Sequence, residues 1–263
     1  WTDKPVTTQV RLRTLRKARG FTAITAVSLG LGIGASTAVF TLVDSMLLQP
    51  LAVKSPGELV RFEWLAGPSG GHPRLVDGNL GGGLHFSREV FTRRQSDQAL
   101  LHGVCAVASL LANNVSIDHQ AEVVIEGELV SGNYYDLLGV SAFRGRTLLP
   151  DDDRPGAPPV CVISYRYWQS RFGGDDGAIG KSISINQVPV TIVGVTPPEF
   201  RGVLLVGSGA DLTLPLALGD RVRRDHDAVK KPDYWWLNLF GRRNPAYSER
   251  QLEEGLQAAF QTA

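Results

Sequence analysis

The chain of 263 residues is nearly neutral, with 27 Lys and Arg against 26 Asp and Glu and a formal net charge of +1 at pH 7. Once a basic N-terminal arm is set aside, nothing in the charge pattern indicates a nucleic-acid surface, and no nucleic-acid partner is expected. The two cysteines, Cys105 and Cys161, lie in apolar runs, and the sequence leaves open whether they form a disulfide or stay free and buried.

The N-terminal part is dominated by a run without charged residues or histidine from Phe21 to Val43, directly after a basic segment over residues 1–20. A helix rises by ~1.5 Å per residue, so this run makes a rod of roughly 35 Å. That length crosses a hydrocarbon core of about 30 Å with some tilt. The sequence therefore predicts a transmembrane helix over 21–43, in contact with membrane lipid.

Basic residues flank this predicted helix unequally. Those that precede it are Lys4, Arg11, Arg13, Arg16, Lys17 and Arg19. Only Lys54 and Arg61 follow it closely, so the positive-inside rule places the N-terminus in the cytoplasm and residues 44–263 outside the membrane. A cleaved signal peptide is the alternative, but its apolar region is typically ~7–15 residues long, and this run is longer.

Small residues recur at every fourth position of the predicted span, at Ala26, Gly30, Gly34 and Ala38. They leave one helix face without bulk, where a second helix can approach closely in lipid and gain van der Waals contact. Small residues are frequent in membrane helices, so chance spacing is the alternative. The pattern favours these four residues as a face for transmembrane helix packing.

Beyond residue 44, strand and helix patterns mix without a strict βαβ rhythm, which favours an α+β domain. A Gly- and Pro-rich stretch over 67–83 is expected to be a loose loop, and a turn is expected at Asn186-Gln187. The predicted strands are 59–64, 100–111, 123–130, 160–163 and a hairpin over 182–195. The predicted helices are 88–95 with Ser87 as N-cap, 133–139 with a glycine stop, 165–172 with Ser164 as N-cap, and one after the capping box Ser248–Gln251.

One motif resembles a nucleotide site. Gly180-Lys181-Ser182 is similar to the end of a phosphate-binding loop, but Asp175 stands where that loop needs a glycine. The residues that follow alternate like a strand, whereas a phosphate loop opens a helix. We therefore expect no ATP hydrolysis by this chain alone.

Other candidate sites also lack the required spacing. The five histidines are scattered without metal-ligand spacing, and Val206–Gly209 is not a nucleophile elbow. The cluster Asp151–Asp153 is predicted to be a solvated turn, not a calcium loop. Tyr234–Trp236 is predicted to pack in the core, with an aromatic ligand platform or an interfacial belt as the alternative. We expect no catalytic residue, no cofactor and no metal site, so the chain is not expected to be an enzyme.

Two groups of segments, taken in chain order, resemble a known family. In the N-terminal part they are Arg13–Ala26, Leu29–Phe40 and Leu47–Leu51. In the rest of the chain they are Gly127–Val140, Arg144–Arg146, Val162–Gly174, Ile179–Lys181 and Ile192–Phe200. Together they resemble the first membrane helix and the periplasmic core domain of MacB/FtsX-type ABC transporter permeases, in particular the acidobacterial-type group. Residues 242–248 and the stretch 67–83 depart from the family pattern.

The resemblance implies a permease subunit in the bacterial inner (cell) membrane, driven by a separate cytoplasmic ABC ATPase. The implied role is export or mechanotransmission, together with a second permease subunit in a homo- or heterodimer and with partners in the periplasm or outer membrane. The implied fold is a transmembrane helix followed by a two-lobed mixed α/β periplasmic core domain over 44–263. The inserted lobe is expected at about 118–220, and residues 51–117 and 221–263 are expected to form the other lobe.

The alternative is a membrane-anchored periplasmic binding or adaptor protein with no ATPase partner. The two hypotheses differ in what is expected after residue 263, because a permease needs at least three further membrane spans and an adaptor needs none.

Overall fold

The computed structural model describes residues 19–47, 51–65, 72–76, 85–95, 100–118, 120–204, 209–225, 227–231 and 234–261. The chain divides into two compact units, Trp1–Gln49 and Pro50–Ala263. Most of the predicted basic segment, up to residue 18, lies outside the described residues.

The first unit contains helix α1, Arg19–Leu47, which includes the whole apolar run. The hydroxyls of Thr37 and Thr41 donate to the carbonyl oxygens four residues earlier, both at 2.8 Å, and so remain satisfied inside the helix. Large apolar side chains along α1 are exposed in this unit, namely Ile24, Val27, Leu29, Leu31, Ile33, Val39 and Phe40. No helix among the described residues has both the length and the hydropathy of a membrane span.

The second unit contains a mixed ten-stranded sheet among its described residues. The strands are β1 Leu59–Leu65, β2 His72–Val76, β3 Leu101–Ile117, β4 Gln120–Val130, β5 Arg144–Gly145, β6 Val160–Ile163, β7 Ser182–Ile185, β8 Val188–Val195, β9 Leu212–Pro215 and β10 Asn238–Arg243. Their order is β2-β1-β10-β3-β4-β9-β6-β8-β5, and β7 pairs with both β3 and β8. The predicted α+β character is confirmed: most strand pairs are antiparallel, and β4 with β9 and β6 with β8 are parallel.

Five α-helices accompany this sheet in the described residues. They are α2 Arg88–Gln95, α3 Tyr134–Leu138, α4 Tyr165–Phe172, α5 Gly219–Val222 and α6 Glu249–Gln261. Single 3₁₀ turns are formed by Pro56–Glu58, Pro150–Asp153, Asp176–Ala178 and Leu216–Leu218.

The predicted helix ends are confirmed. Ser164 Oγ accepts the N–H of Tyr167 at 2.9 Å, and Ser87 Oγ accepts that of Val90 at 3.3 Å. Gly139 ends α3 in the left-handed region at φ 68°, where a glycine is least strained. These short helices therefore begin and end where local capping chemistry permits.

The predicted hairpin over 182–195 is also confirmed. Asn186 and Gln187 form its turn with φ of 50° and 70°, as a tight turn between twisted antiparallel strands requires. The Asn186 side chain then fixes the turn to the rest of the sheet. Its Oδ1 accepts the backbone N–H of Asn114 at 2.8 Å, and its Nδ2 donates to the carbonyl oxygen of Val222 at 2.8 Å.

One prediction fails in the stretch 67–83. The expected loose loop contains strand β2, which pairs antiparallel with β1 from Arg61 opposite Val76 to Leu65 opposite His72. The neighbouring strand supplies the hydrogen-bonding partner that a Gly- and Pro-rich sequence does not reveal, and Pro73 is tolerated because β2 is at the sheet edge. The rest of this stretch lies outside the described residues.

The order of the strands in the sheet separates the segments that were predicted to form the two lobes. Strands β1, β2, β3 and β10, from 51–117 and 221–263, lie at one end of the sheet order, and strands β4 to β9 lie at the other. The sheet is nevertheless continuous, because β3 and β4 pair along ten positions from Val107 opposite Val130 to Ile117 opposite Gln120. The two-lobed division near 118–220 remains a prediction.

Side chains from the two faces of the sheet form two hydrophobic clusters. On β3, Val104 and Ala106 belong to the larger cluster, whereas Cys105 and Val107 belong to the smaller one. The smaller cluster is completed by α3 through Tyr134 and Tyr135. Cys161 lies in the larger cluster, so the two cysteines are buried free thiols and do not form a disulfide.

Candidate functional site

The four predicted packing residues all lie in α1. A step of four residues in a helix of 3.6 residues per turn advances the side chain by about 40°, so Ala26, Gly30, Gly34 and Ala38 follow one slowly turning face. A Cβ added at Gly30 or Gly34 would meet no atom of the described residues within 4 Å. The first unit therefore has open space along this face, and its packing role remains a prediction.

The segment that follows α1 in the chain is attached to the sheet by Arg242 of β10. The Arg242 guanidinium is buried, and its Nε donates to the carbonyl oxygen of Leu137 at 2.9 Å. Its Nη1 donates to the carbonyl oxygen of Ser55 and to Glu58, both at 3.3 Å. One side chain therefore links β10, the end of α3 and residues 55–58.

The contact between this segment and α3 is close. Lys54 donates its backbone N–H to the carbonyl oxygen of Leu138 at 2.8 Å. A Cβ added at Gly139 would lie 2.6 Å from the Cβ of Lys54, so glycine is needed here for space as well as for its positive φ. Sequence reasoning missed this site, because the partners of Arg242 are more than a hundred residues away and no local pattern marks them.

A polar group is enclosed at the smaller cluster. Glu128 of β4 is 7% exposed and lies in register between Ser109 of β3 and Thr213 of β9. Gly202 lies in close contact with Glu128, since a Cβ added at Gly202 would be 3.1 Å from Glu128 Oε1. Burial raises the pKa of the Glu128 carboxyl to about 7, and the hydroxyl of Tyr134 acts in the opposite direction.

Two buried tyrosine hydroxyls lie near Glu128. Tyr134 and Tyr135 are fully buried, and neither Oη forms a hydrogen bond of normal geometry to the described residues. Their rings pack against Phe200, with centroid distances of 6.3 and 5.8 Å. Desolvation raises the pKa of both phenols, so they remain neutral at physiological pH.

The acidic cluster Asp151–Asp153 is a solvated turn only at its first residue. The Asp152 carboxylate receives two hydrogen bonds from Arg146, at 2.6 and 2.9 Å, and caps the N–H of Leu149 at 2.8 Å. Asp153 accepts the N–H groups of Gly132 and Ala217 at 3.1 and 2.6 Å. The prediction is wrong for these two residues, because Asp152 is held by the Arg146 side chain and the nearby Leu149 N–H, and Asp153 by backbone N–H groups distant in the chain.

The similarity to a phosphate-binding loop does not extend to the structure. Ser182 opens strand β7, as predicted, and Gly180 has a φ of 86° in the turn before it. Lys181 forms an ion pair with Asp118 instead of pointing into a ring of backbone amides. The described residues also contain no group of three or more His, Cys, Asp or Glu that could hold a metal ion.

The aromatic segment Tyr234–Trp236 is divided between the core and the surface. Trp236 is buried in the larger cluster, as predicted, but Trp235 is 47% exposed and lines an open cleft of about 440 Å³. Leu111 of β3, 64% exposed, lines the same cleft. Core packing is therefore the wrong prediction for Trp235.

Comparison with known proteins places this fold in a family. The model of the MacB-like periplasmic core domain matches residues 22–259, which include most of α1 and all of the strands. The chain belongs to this MacB-like family. The acidobacterial-type group remains a prediction, and no functionally curated protein matches the sequence.

Several solved structures share the fold at low sequence identity. The periplasmic region of MacB from Actinobacillus actinomycetemcomitans is 12% identical, with a TM-score of 0.56, over 80% of this chain and 85% of that chain. The extracellular domain of the ABC-type transporter YknZ from Gram-positive bacteria is 13% identical, with a TM-score of 0.51, over 78% of this chain and 95% of that chain. A domain of a permease protein from Porphyromonas gingivalis is 16% identical, with a TM-score of 0.54, over 78% and 83%.

Proposed function

We propose that this chain belongs to the permease subunit of a MacB/FtsX-type ABC transporter, which couples a separate cytoplasmic ATPase to export or mechanotransmission in the periplasm. The observation that carries the proposal is the family match over 22–259, which begins inside α1 and continues to α6. The absence of a phosphate loop at Lys181 supports a separate ATPase as the source of energy.

In this proposal α1 spans the bacterial inner membrane, the N-terminus is cytoplasmic, and residues 44–263 are periplasmic. The exposed apolar side chains of α1 are suited to lipid, and the charge-free run 21–43 has the length of a span. The excess of basic residues before the run supports the orientation. An alkaline phosphatase fused after Asp44 should be active, and an inactive fusion or a mature chain that begins near residue 39 would contradict this topology.

The contacts of Arg242 support a role for residues 51–58 in passing a displacement to the sheet. Residues 51–58 follow α1 in the chain and are attached by Arg242 and by the Lys54 N–H to α3 and β10. A displacement at residues 51–58 would therefore be passed to packed secondary structure. This is the property that a subunit for mechanotransmission requires.

The proposal is tested by purifying the full-length subunit together with its candidate ABC ATPase. We expect a stable complex whose ATP hydrolysis changes when the permease is present and disappears when the ATPase loses its phosphate-loop lysine. The second candidate function, an anchored binding or adaptor protein, predicts no such complex and no effect on hydrolysis.

A further inference from the structure

We propose that the cleft beside Trp235 is a docking site for an acidic peptide segment of a partner protein, in which carboxylates lie next to aromatic or aliphatic side chains. The cleft is formed entirely by the second unit, between β3, the start of β10 and the residues that follow α5. The inference goes beyond the permease role and does not depend on coupling to an ATPase.

The floor of the cleft is rigid. Arg223 donates to both carboxylate oxygens of Asp225 at 2.7 and 2.8 Å and to the carbonyl oxygen of Ser109 at 2.9 Å. Its guanidinium also lies 5.0 Å from the ring centroid of Trp236, and Tyr234 donates its hydroxyl to Asp225 at 2.7 Å. A ligand would meet groups that are already ordered, so binding would cost little additional side-chain entropy.

The charges that line the cleft favour an anionic ligand. Asp225 is the carboxylate among the lining residues, and its bonds with Arg223 hold its pKa down at about 2. Its charge is thus already balanced by Arg223. Arg224 and His85 are exposed at the same cleft and form no ion pair with the described residues. A carboxylate would therefore find at Arg224 a guanidinium that forms no ion pair with the described residues.

The apolar groups at the cleft favour a peptide with bulky side chains. Trp235 stacks on Phe86 with a centroid distance of 6.3 Å and an interplanar angle of 18°, and nearly half of the side chain is still exposed. Leu111 adds a second exposed apolar group. Tryptophan, tyrosine and arginine dominate the binding energy of protein interfaces, and all three line this cleft.

An anionic membrane is a weaker fit. Binding to acidic lipid headgroups usually relies on clusters of about 4–8 basic residues. Among the described residues that line this cleft, only Arg224 and His85 are basic groups without an ion pair. The Arg224 guanidinium beside the exposed Trp235 ring is better matched to a single peptide carboxylate and its neighbouring side chain.

The test uses a displayed library of random twelve-residue peptides, selected on the full chain in detergent micelles and counter-selected on the Arg224→Glu variant. We expect enrichment of Asp or Glu beside Trp, Phe or Leu. The most enriched peptide is then synthesised, and its affinity is measured by fluorescence anisotropy. Trp235→Ala and Arg224→Gln should each weaken binding at least tenfold. The controls Arg201→Gln and Leu149→Ala, which lie outside the cleft, should change it less than twofold.

Three outcomes would overturn the proposal. One is a selection with no enrichment over Arg224→Glu or with enrichment of basic peptides. Another is a peptide that binds Trp235→Ala as tightly as the unmodified chain. The third concerns lipid, with dihexanoyl phosphatidylglycerol below its micelle concentration as the probe. If this lipid binds the cleft in an Arg224-dependent manner and the selected peptide does not, the cleft is a lipid site. Circular dichroism of each variant confirms folding, and both substituted residues are exposed enough to tolerate the change.

Discussion

The Nε of Arg242 donates to the carbonyl oxygen of Leu137 at 2.9 Å, and these residues are separated by 105 positions in the chain. The last carbonyl groups of a helix have no partner within the helix, and here a buried guanidinium supplies one. Because the same guanidinium also binds the carbonyl of Ser55, the end of α3 and the segment after α1 depend on one side chain.

Arg242→Met should lower the free energy of unfolding by about 2–3 kcal/mol, because hydrogen bonds from a charged donor are lost while the side-chain length is kept. The backbone amide of Lys54, which donates to Leu138, should exchange with solvent faster. Urea unfolding and hydrogen exchange measure the two effects. Arg250→Met is the control, since Arg250 forms an exposed ion pair with Glu254 and should cost less than about 1 kcal/mol. Equal effects of the two substitutions would contradict this role of Arg242.

The burial of Glu128 makes the stability of the second unit dependent on pH. Its pKa is raised from 4.5 to about 7 in the folded chain, so the folded state holds the proton more tightly than the unfolded state. Between these two values the folded state binds more protons, and the free energy of unfolding falls as the pH rises. The contribution is fully present below about pH 4.5 and lost above about pH 7, a difference on the order of 3 kcal/mol.

Glu128→Gln should remove this dependence, because the amide does not titrate. We expect urea unfolding of the unmodified chain to need less denaturant at pH 8 than at pH 5, and the variant to show a clearly smaller difference. Glu199→Gln, at an exposed position, should retain the full difference. If Glu128→Gln and the unmodified chain lose stability equally between pH 5 and pH 8, the buried carboxyl is not the cause.

The contacts and the backbone conformation of Asn186 predict different losses of stability for different substitutions in the hairpin turn. Asn186→Ala loses the bonds to Asn114, Val222 and Asn113 and must also hold alanine at a φ of 50°. It should cost about 2–4 kcal/mol, whereas Asn186→Gly loses the same bonds without the strain and should cost about 1–2 kcal/mol less. Gln187→Gly, at an exposed position with a φ of 70°, should be neutral or slightly stabilising. Thermal unfolding measures the order of stability among the variants. If Asn186→Ala is as stable as Asn186→Gly, alanine at this positive φ is not strained.

Elements governed by local chemistry could be predicted from the sequence. The caps at Ser87 and Ser164, the glycine stop at Gly139 and the turn at Asn186-Gln187 are each determined within a few residues. The continuous apolar strand β6 was also predictable, because its four residues are buried on both faces of the sheet.

What could not be predicted depends on distant partners. Strand β2 forms because β1 offers it an edge, and Asp153 is satisfied by the backbone of Gly132 and Ala217, neither of which is near it in the chain. For Tyr234–Trp236 the sequence offered an aromatic ligand platform only as the alternative, since Arg223 and Leu111 reach the cleft at Trp235 from separate elements. An alternating strand pattern also does not reveal that Glu128 is enclosed, because α3 and the loop at Gly202 cover it.

The small-residue face of α1 predicts an effect on assembly without an effect on folding. A Cβ at Gly30 or Gly34 meets nothing within 4 Å in the first unit, so Gly30→Leu and Gly34→Leu should insert into the membrane normally. If Ala26, Gly30, Gly34 and Ala38 pack against another membrane helix, the added bulk separates the two backbones and removes van der Waals contact along the crossing.

In the full-length complex, these two variants should therefore lose subunit association or coupled ATP hydrolysis. Ile33→Leu and Val39→Leu serve as matched controls, since both side chains are exposed on α1 and lie off that face. Association is measured by co-purification of two differently tagged subunits, and coupling by the rate of ATP hydrolysis. If the leucine variants at Gly30 and Gly34 behave like the controls, the face contacts lipid and the spacing of small residues is chance.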